Sequence, residues 1–176
     1  VPCALADLRA LPFQGGIDYI TCLFDSINFM LTLDDVCRVI AEFARTVNET
    51  GIVYMDAITE LMVRRHFDGQ KWTEFSGHFK STWDSRYDRA TKITETRIRV
   101  NSGATTVLRE RIYEQEEIEQ ACRDAGLKVL DVVDSQTWAA PDKNTIRKDY
   151  IAVRGNARSL KKTFKKVRRD IQRNLA

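Results

Sequence analysis

Asp25, Ser26 and Asn28 stand close together just after an apolar run, Ile17-Asp18-Tyr19-Ile20-Thr21-Cys22-Leu23-Phe24. Asp56 closes a second such run, Ile52-Val53-Tyr54-Met55. Acids, a hydroxyl and an amide at strand ends can orient an amine or a hydroxyl group by hydrogen bonds. A carboxylate placed there can also take a proton from it. The same residue types close loops, and Asp56 equally suits the cap of a helix starting near Ile58. Glu110 and Arg111 are adjacent on an alternating segment, so they project to opposite faces of a sheet and one of them can reach such a site.

Other chemistries lack their residues. His66 and His78 have no ligand partners at metal spacing. Cys3, Cys22, Cys37 and Cys122 form no CxxC pair and read as reduced thiols of a cytoplasmic protein. No Ser-His-Asp set or P-loop is present, which argues against hydrolases and kinases. Gly15-Gly16 precede a strand instead of following one, so they are not a nucleotide-binding loop. Trp72, Phe75, Trp83 and Tyr87 suit either an aromatic lid or cross-strand packing.

The elements that must hold these residues follow from the pattern. A mostly apolar run at Ile17–Phe24 reads as a strand buried on both faces. Thr32 can cap a helix in which Val36, Ile40, Phe43, Ala44 and Val47 recur at helical spacing, with Gly51 at its end. Ile52–Asp56 is a second buried strand. Strand, helix and strand with short joints predict a parallel, right-handed βαβ unit. A short helix follows from Ile58 to about His66. Trp72–Phe79, Lys92–Val100 and Thr105–Tyr113 then contain alternating stretches that predict an antiparallel excursion of about three strands. A helix over Glu116–Ala125, ended by Gly126, and two strands at Leu127–Val133 and Thr145–Val153 complete the body.

At 176 residues the chain suits one α/β body over residues 1–156 and a basic helix over 157–176. No apolar run approaches the roughly 18 residues of a membrane span. The net charge of +3 hides an asymmetry. Eight Lys/Arg and one acid lie between Ala157 and Ala176, so this tail carries +7 and the first 156 residues −4. Leu160, Phe164, Val167, Ile171 and Leu175 form an apolar seam along it. That seam suits docking on the body or on a sister subunit, in preference to an anionic membrane surface or a nucleic acid.

Several ordered motifs carry a resemblance to a known family. Ala6-Asp7-Leu8-Arg9-Ala10-Leu11-Pro12-Phe13 resembles a D-[ML]-R-x-L-P-F element, and Ile17–Asn28 resembles FDLVTCxFDSLNY. Thr50-Gly51-Ile52 is similar to pGG, Glu110-Arg111 with Tyr113 and Glu117-Ile118 to E-R-x-Y-t-x-E-E-L, and Ala125-Gly126-Leu127 to aGF. Together they resemble the C-terminal part of class I S-adenosylmethionine-dependent methyltransferases, in the branch acting on nitrogen or oxygen of small molecules. The resemblance implies a Rossmann-like doubly wound sheet with an antiparallel β insertion, and S-adenosylmethionine as cofactor. It implies that Asp7 and Leu8 meet the adenine and that Cys22, Leu23 and Phe24 wall the cofactor. Ser26, Asn28 and Arg111 are then expected at the methyl acceptor, with Asp25 and Asp56 as proton acceptors.

The family's glycine-rich loop has no counterpart in this chain, which is expected to be a fragment or to pair with a second copy or with a chain carrying the absent half. The alternative is a non-catalytic scaffold that uses the basic helix for a partner.

Overall fold

The computed structural model describes residues 3–155 and 157–175, with the side chains of 157–159 left aside. Strand β1 (Ile17–Cys22), helix α1 (Leu33–Thr46) and strand β2 (Val47–Ile58) form the expected βαβ unit. β1 and β2 pair in parallel, with Tyr19 beside Ile52 and Cys22 beside Met55. The Thr32 hydroxyl caps α1 by accepting from the Asp35 amide at 3.1 Å. One face of α1 buries Val36, Val39, Ile40 and Phe43 in the same core as Val53 and Met55 of β2.

Two expectations about this unit change. β1 is not covered on both faces: it is the edge of its sheet, and Tyr19 is 56% exposed. Gly51 does not end α1, which stops at Thr46 and runs straight into a longer β2. The glycine is needed there for close approach, since a Cβ would lie 2.6 Å from Val47 Cγ2 and 2.9 Å from the Asp18 carbonyl oxygen.

Helix α2 (Glu60–His66) leads into a separate antiparallel sheet of β3 (Lys71–Ser76), β4 (Phe79–Asp88), β5 (Ile93–Val100) and β6 (Thr105–Arg111), in that order. It has four strands where about three were expected. β4 escapes a hydropathy reading because Ser81 and Ser85 interrupt the face that carries Phe79, Trp83 and Tyr87. Trp72 and Trp83 are paired across β3 and β4 and stack with centroids 5.3 Å apart, so they act as cross-strand packing.

Helix α3 (Gln115–Asp124), strand β7 (Lys128–Asp134) and strand β8 (Arg147–Val153) return to the first sheet, whose order is β1-β2-β8-β7. β8 runs antiparallel to both neighbours. Gly126, at φ 79°, supplies the left-handed residue that ends α3. α3 buries Ile118, Ala121 and Cys122 in the α1 core. Helix α4 (Ala157–Leu175) also packs on the body, with the Phe164 ring against Trp138 and Trp138 against Tyr54. Arg168 and Gln172 both donate to the Trp138 carbonyl, and Arg168 pairs with Asp131. A cavity of about 350 Å³ remains between α4 and the sheet, lined by Tyr19, Ile52, Tyr54, Trp138, Ile151 and Leu160. Among the described residues no helix is long and apolar enough to cross a membrane.

Candidate active site

The carboxyl ends of β1 and β2 lie side by side because the two strands are parallel. The amino end of β8 joins them because β8 runs the other way, pairing Arg147 with Ile58 and Asp149 with Asp56. Arg147 is therefore on the same sheet face as Asp56, one diagonal step along the ladder. Its guanidinium forks: Nη1 pairs with Asp56, and Nη2 lies 3.0 Å from Asp25 Oδ1. Asp56 is 4% exposed, so its charge needs this partner.

The loop after β1 is bent to meet the fork. Phe24 and Asp25 both adopt left-handed backbone, at φ 57° and 52°, a conformation unfavourable for residues with a side chain. The Asp56 carboxylate holds the bend by accepting from the Asp25 amide at 3.2 and 3.3 Å. Non-glycine left-handed residues fixed by a buried acid are a common mark of functional loops. Asp56 does not cap α2; Thr59 does, accepting from the Met62 amide.

Glu110 approaches the cluster from β6. Its carboxyl stands beside that of Asp25. Burial, then this contact and the Asp25 charge, push Glu110 up to about 8, while Arg147 works in the opposite direction. Behind Asp56 on the same face, Asp149 accepts from the Tyr54 hydroxyl and from Ser135. Burial raises its pKa as well, against the hydrogen bonds of Ser135 and Tyr54.

The other expected residues are placed differently. Asn28 is fully buried and its amide is committed to the frame: Nδ2 donates to the Arg111 carbonyl at 2.8 Å and Oδ1 accepts from the Ile58 amide at 3.1 Å. It ties the site loop to β6 and β2. Ser26 is half-buried and donates to the Leu23 carbonyl at 2.7 Å. The Arg111 side chain lies over the Tyr113 ring and beside Glu117, while its neighbour Glu110 meets Asp25.

Cys22 is a core residue whose thiol burial pushes up to about 11, so only its backbone faces outward at the strand end. Leu23 and Phe24 are exposed beyond it. Asp7 is an exposed loop acid whose two oxygens take Arg9, and this pairing lowers it to about 2. Leu8 is partly buried against the main core. Arg147 has no sequence motif around it; its clue is that an antiparallel closing strand must start where β2 ends.

Among the described residues no group of three or more His, Cys, Asp or Glu has the arrangement of a metal site. No protein-family model matches the chain, and no curated protein matches it significantly. Solved structures do. An S-adenosylmethionine-dependent methyltransferase from Clostridium acetobutylicum superposes with a TM-score of 0.77 at 21% identity, over 87% of this chain and 64% of that one. The CcbJ methyltransferase from Streptomyces caelestis gives 0.71 at 13% identity, over 86% and 63%. An amino pentose methyltransferase from Micromonospora echinaspora, solved with S-adenosylmethionine bound, gives 0.62 at 20% identity, over 85% and 63%. The chain spans less than two thirds of the length of each. At these identities the likeness is one of fold: the chain has the Rossmann-like α/β architecture of the class I methyltransferases.

Proposed function

We propose that this chain is the acceptor-binding part of an enzyme that transfers the methyl group of S-adenosylmethionine to nitrogen or oxygen of a small molecule. The observation that carries this reading is the Asp25–Arg147–Asp56 constellation. It holds a left-handed loop at the carboxyl ends of two parallel strands, where open α/β sheets bind their ligands. The bound cofactor supplies a methyl carbon already activated by its positively charged sulfur. What is then asked of the chain is mainly orientation of the acceptor, and removal of its proton.

The residues fit the adenine end of the cofactor and the acceptor. Asp7, kept ionised by Arg9, retains lone pairs for an exocyclic amine. Leu8 offers the next backbone amide. Leu23 and Phe24 offer exposed apolar surface, and Cys22 its backbone. Asp25 faces the acceptor; Asp56 and Arg147 fix its position, and Ser26 flanks it. Asn28 and Arg111 serve this site through the frame they brace. A glycine-rich cradle for the methionine end would come from sequence outside this chain or from a second polypeptide beside β1.

The test is transfer of labelled methyl to a panel of small amines and alcohols by the protein complete with such a segment. Labelled product is expected, with a loss of about 10²-fold in Asp25→Asn, the cost of misplacing the acceptor. A folded complete protein that labels nothing would favour a scaffold instead, with α4 presenting its Lys/Arg face to a partner.

A further inference from the structure

Two carboxyl groups share one guanidinium and a third stands beside Asp25, but the three do not have equal roles. Arg147 forks between Asp25 and Asp56. Glu110 meets Asp25 carboxyl to carboxyl. Such a contact is a hydrogen bond only while one of the two acids carries a proton. Directly across the β5–β6 ladder, Thr94 is paired with Glu110, so their side chains share a face. Thr94 is 1% exposed, and among the described residues its hydroxyl oxygen is buried without a hydrogen-bond partner. A pair of carboxyl groups and an orphaned hydroxyl therefore sit side by side.

We infer that Glu110 takes the proton of the methyl acceptor, which enters as an N–H donor between Glu110, Asp25 and Thr94. This rests on the methyl-transfer reading. When a protonated amine binds, its charge replaces the proton held between the two carboxyls, and that proton leaves to solvent. One N–H bond of the bound ammonium then breaks as an O–H bond forms on the Glu110 carboxylate. The electron pair stays on nitrogen as the lone pair an attack requires. Thr94 accepts from a second N–H and holds the nitrogen in place. The charged groups acting on Glu110 in this cluster are Asp25 from the β1 loop and Arg147 from β8, whose charge Asp56 of β2 shares. They leave a net negative site once Glu110 ionises.

The test is carbon NMR of the Glu110 carboxyl in the chain as it stands, titrated in sodium chloride, methylammonium chloride or tetramethylammonium chloride of equal strength. In sodium chloride the group is expected to titrate near 8. Methylammonium should lower that midpoint by roughly one to three units, the usual effect of an opposite charge in contact. Tetramethylammonium, which has no N–H, should leave it in place. Thr94→Val should reduce the methylammonium shift while thermal unfolding shows the fold intact. A Glu110 that titrates like an ordinary carboxyl, or that responds equally to both cations, overturns the inference. The measurement needs no cofactor, so it is readable even if methyl transfer fails. Undiminished transfer by a complete Glu110→Gln protein would overturn the inference and leave the methyl-transfer reading standing.

Discussion

Arg147 Nη2 lies 3.0 Å from Asp25 Oδ1 although 122 residues separate them in the chain. The pair closes the sheet at the carboxyl ends of β1 and β2: Asp25 comes from the loop after β1 and Arg147 from the start of β8. The other guanidinium nitrogen holds Asp56 on the strand between them. One side chain thus sets the spacing of three elements.

Removing that fork should be costly. Arg147→Ala leaves Asp56 buried without its countercharge, and breaking such a pair by one partner typically costs about 3–5 kcal/mol. Arg147→Lys keeps the charge but loses the planar fork, so it should fall between the two. Urea unfolding of the three proteins checks this. Equal midpoints for Arg147→Ala and the parent would mean that Asp56 is solvated in a way the structure does not allow.

Glu110 makes stability depend on pH. Its folded value of about 8 lies above the ordinary 4.5 of a glutamate. Between these values the folded chain holds a proton that the unfolded chain has released, so stability falls as pH rises. The contribution is fully present below pH 4.5 and lost as pH passes 8. Glu110→Gln cannot titrate, so the stability difference between parent and variant should move against the parent across this window. Thermal unfolding at pH 6 and pH 9 measures it, and a difference that stays constant with pH would be contrary to the geometry.

Much of this frame is legible in the sequence. The cap at Thr32 and the helical spacing of Val36, Ile40 and Phe43 are local signals, and they locate α1 and hence the parallel pair. The cluster is less legible because it is made of long-range pairings. Nothing within a few residues of Arg147 says that it meets Asp25. Asn28 illustrates the converse. Its loop position suggests a ligand contact, yet the fold closes over it and uses its amide to bind two backbone groups, at Arg111 and Ile58. Burial decides between those roles, and burial depends on the packing of β6 against the loop. The placement of Glu110 and Arg111 on opposite faces follows from strand periodicity; which face meets the site depends on how the second sheet docks.

Binding of S-adenosylmethionine to the 176-residue chain alone should be weak or undetectable. On the proposed reading Asp7 and Leu8 meet the adenine, while the contacts to methionine and ribose come from the segment proposed to complete the enzyme. Each charge-assisted hydrogen bond contributes roughly 1.5–3 kcal/mol, so losing three or four removes most of a micromolar affinity of about 8 kcal/mol. Calorimetry with the isolated chain decides it. Low-micromolar binding would show that the described residues suffice, and Asp7→Ala would then be expected to abolish it.

The last prediction concerns the free edge of the first sheet. β1 pairs with β2 on one side, and among the described residues no other strand of that sheet lies beyond it. An unpaired edge presents amide and carbonyl groups ready to bond another strand. The edge is not protected by proline or lysine: its sequence is Ile-Asp-Tyr-Ile-Thr-Cys, and Asp18 is its one charge. Tyr19 on this strand is 56% exposed, and Leu23 and Phe24 beyond it are exposed as well. The chain is therefore expected to associate through β1, with a second copy or with a polypeptide that brings the rest of the sheet. Two substitutions separate this from association through α4. Thr21→Lys and Thr21→Glu each place a charge at an exposed position of the edge strand without touching the backbone. Both should shift the chain toward monomer in light scattering at micromolar concentration, with circular dichroism confirming that the helices remain. A parent chain that stays monomeric and well dispersed would refute the expectation. A dimer indifferent to both changes would point to α4 and its exposed Val167 and Leu175 as the contact instead.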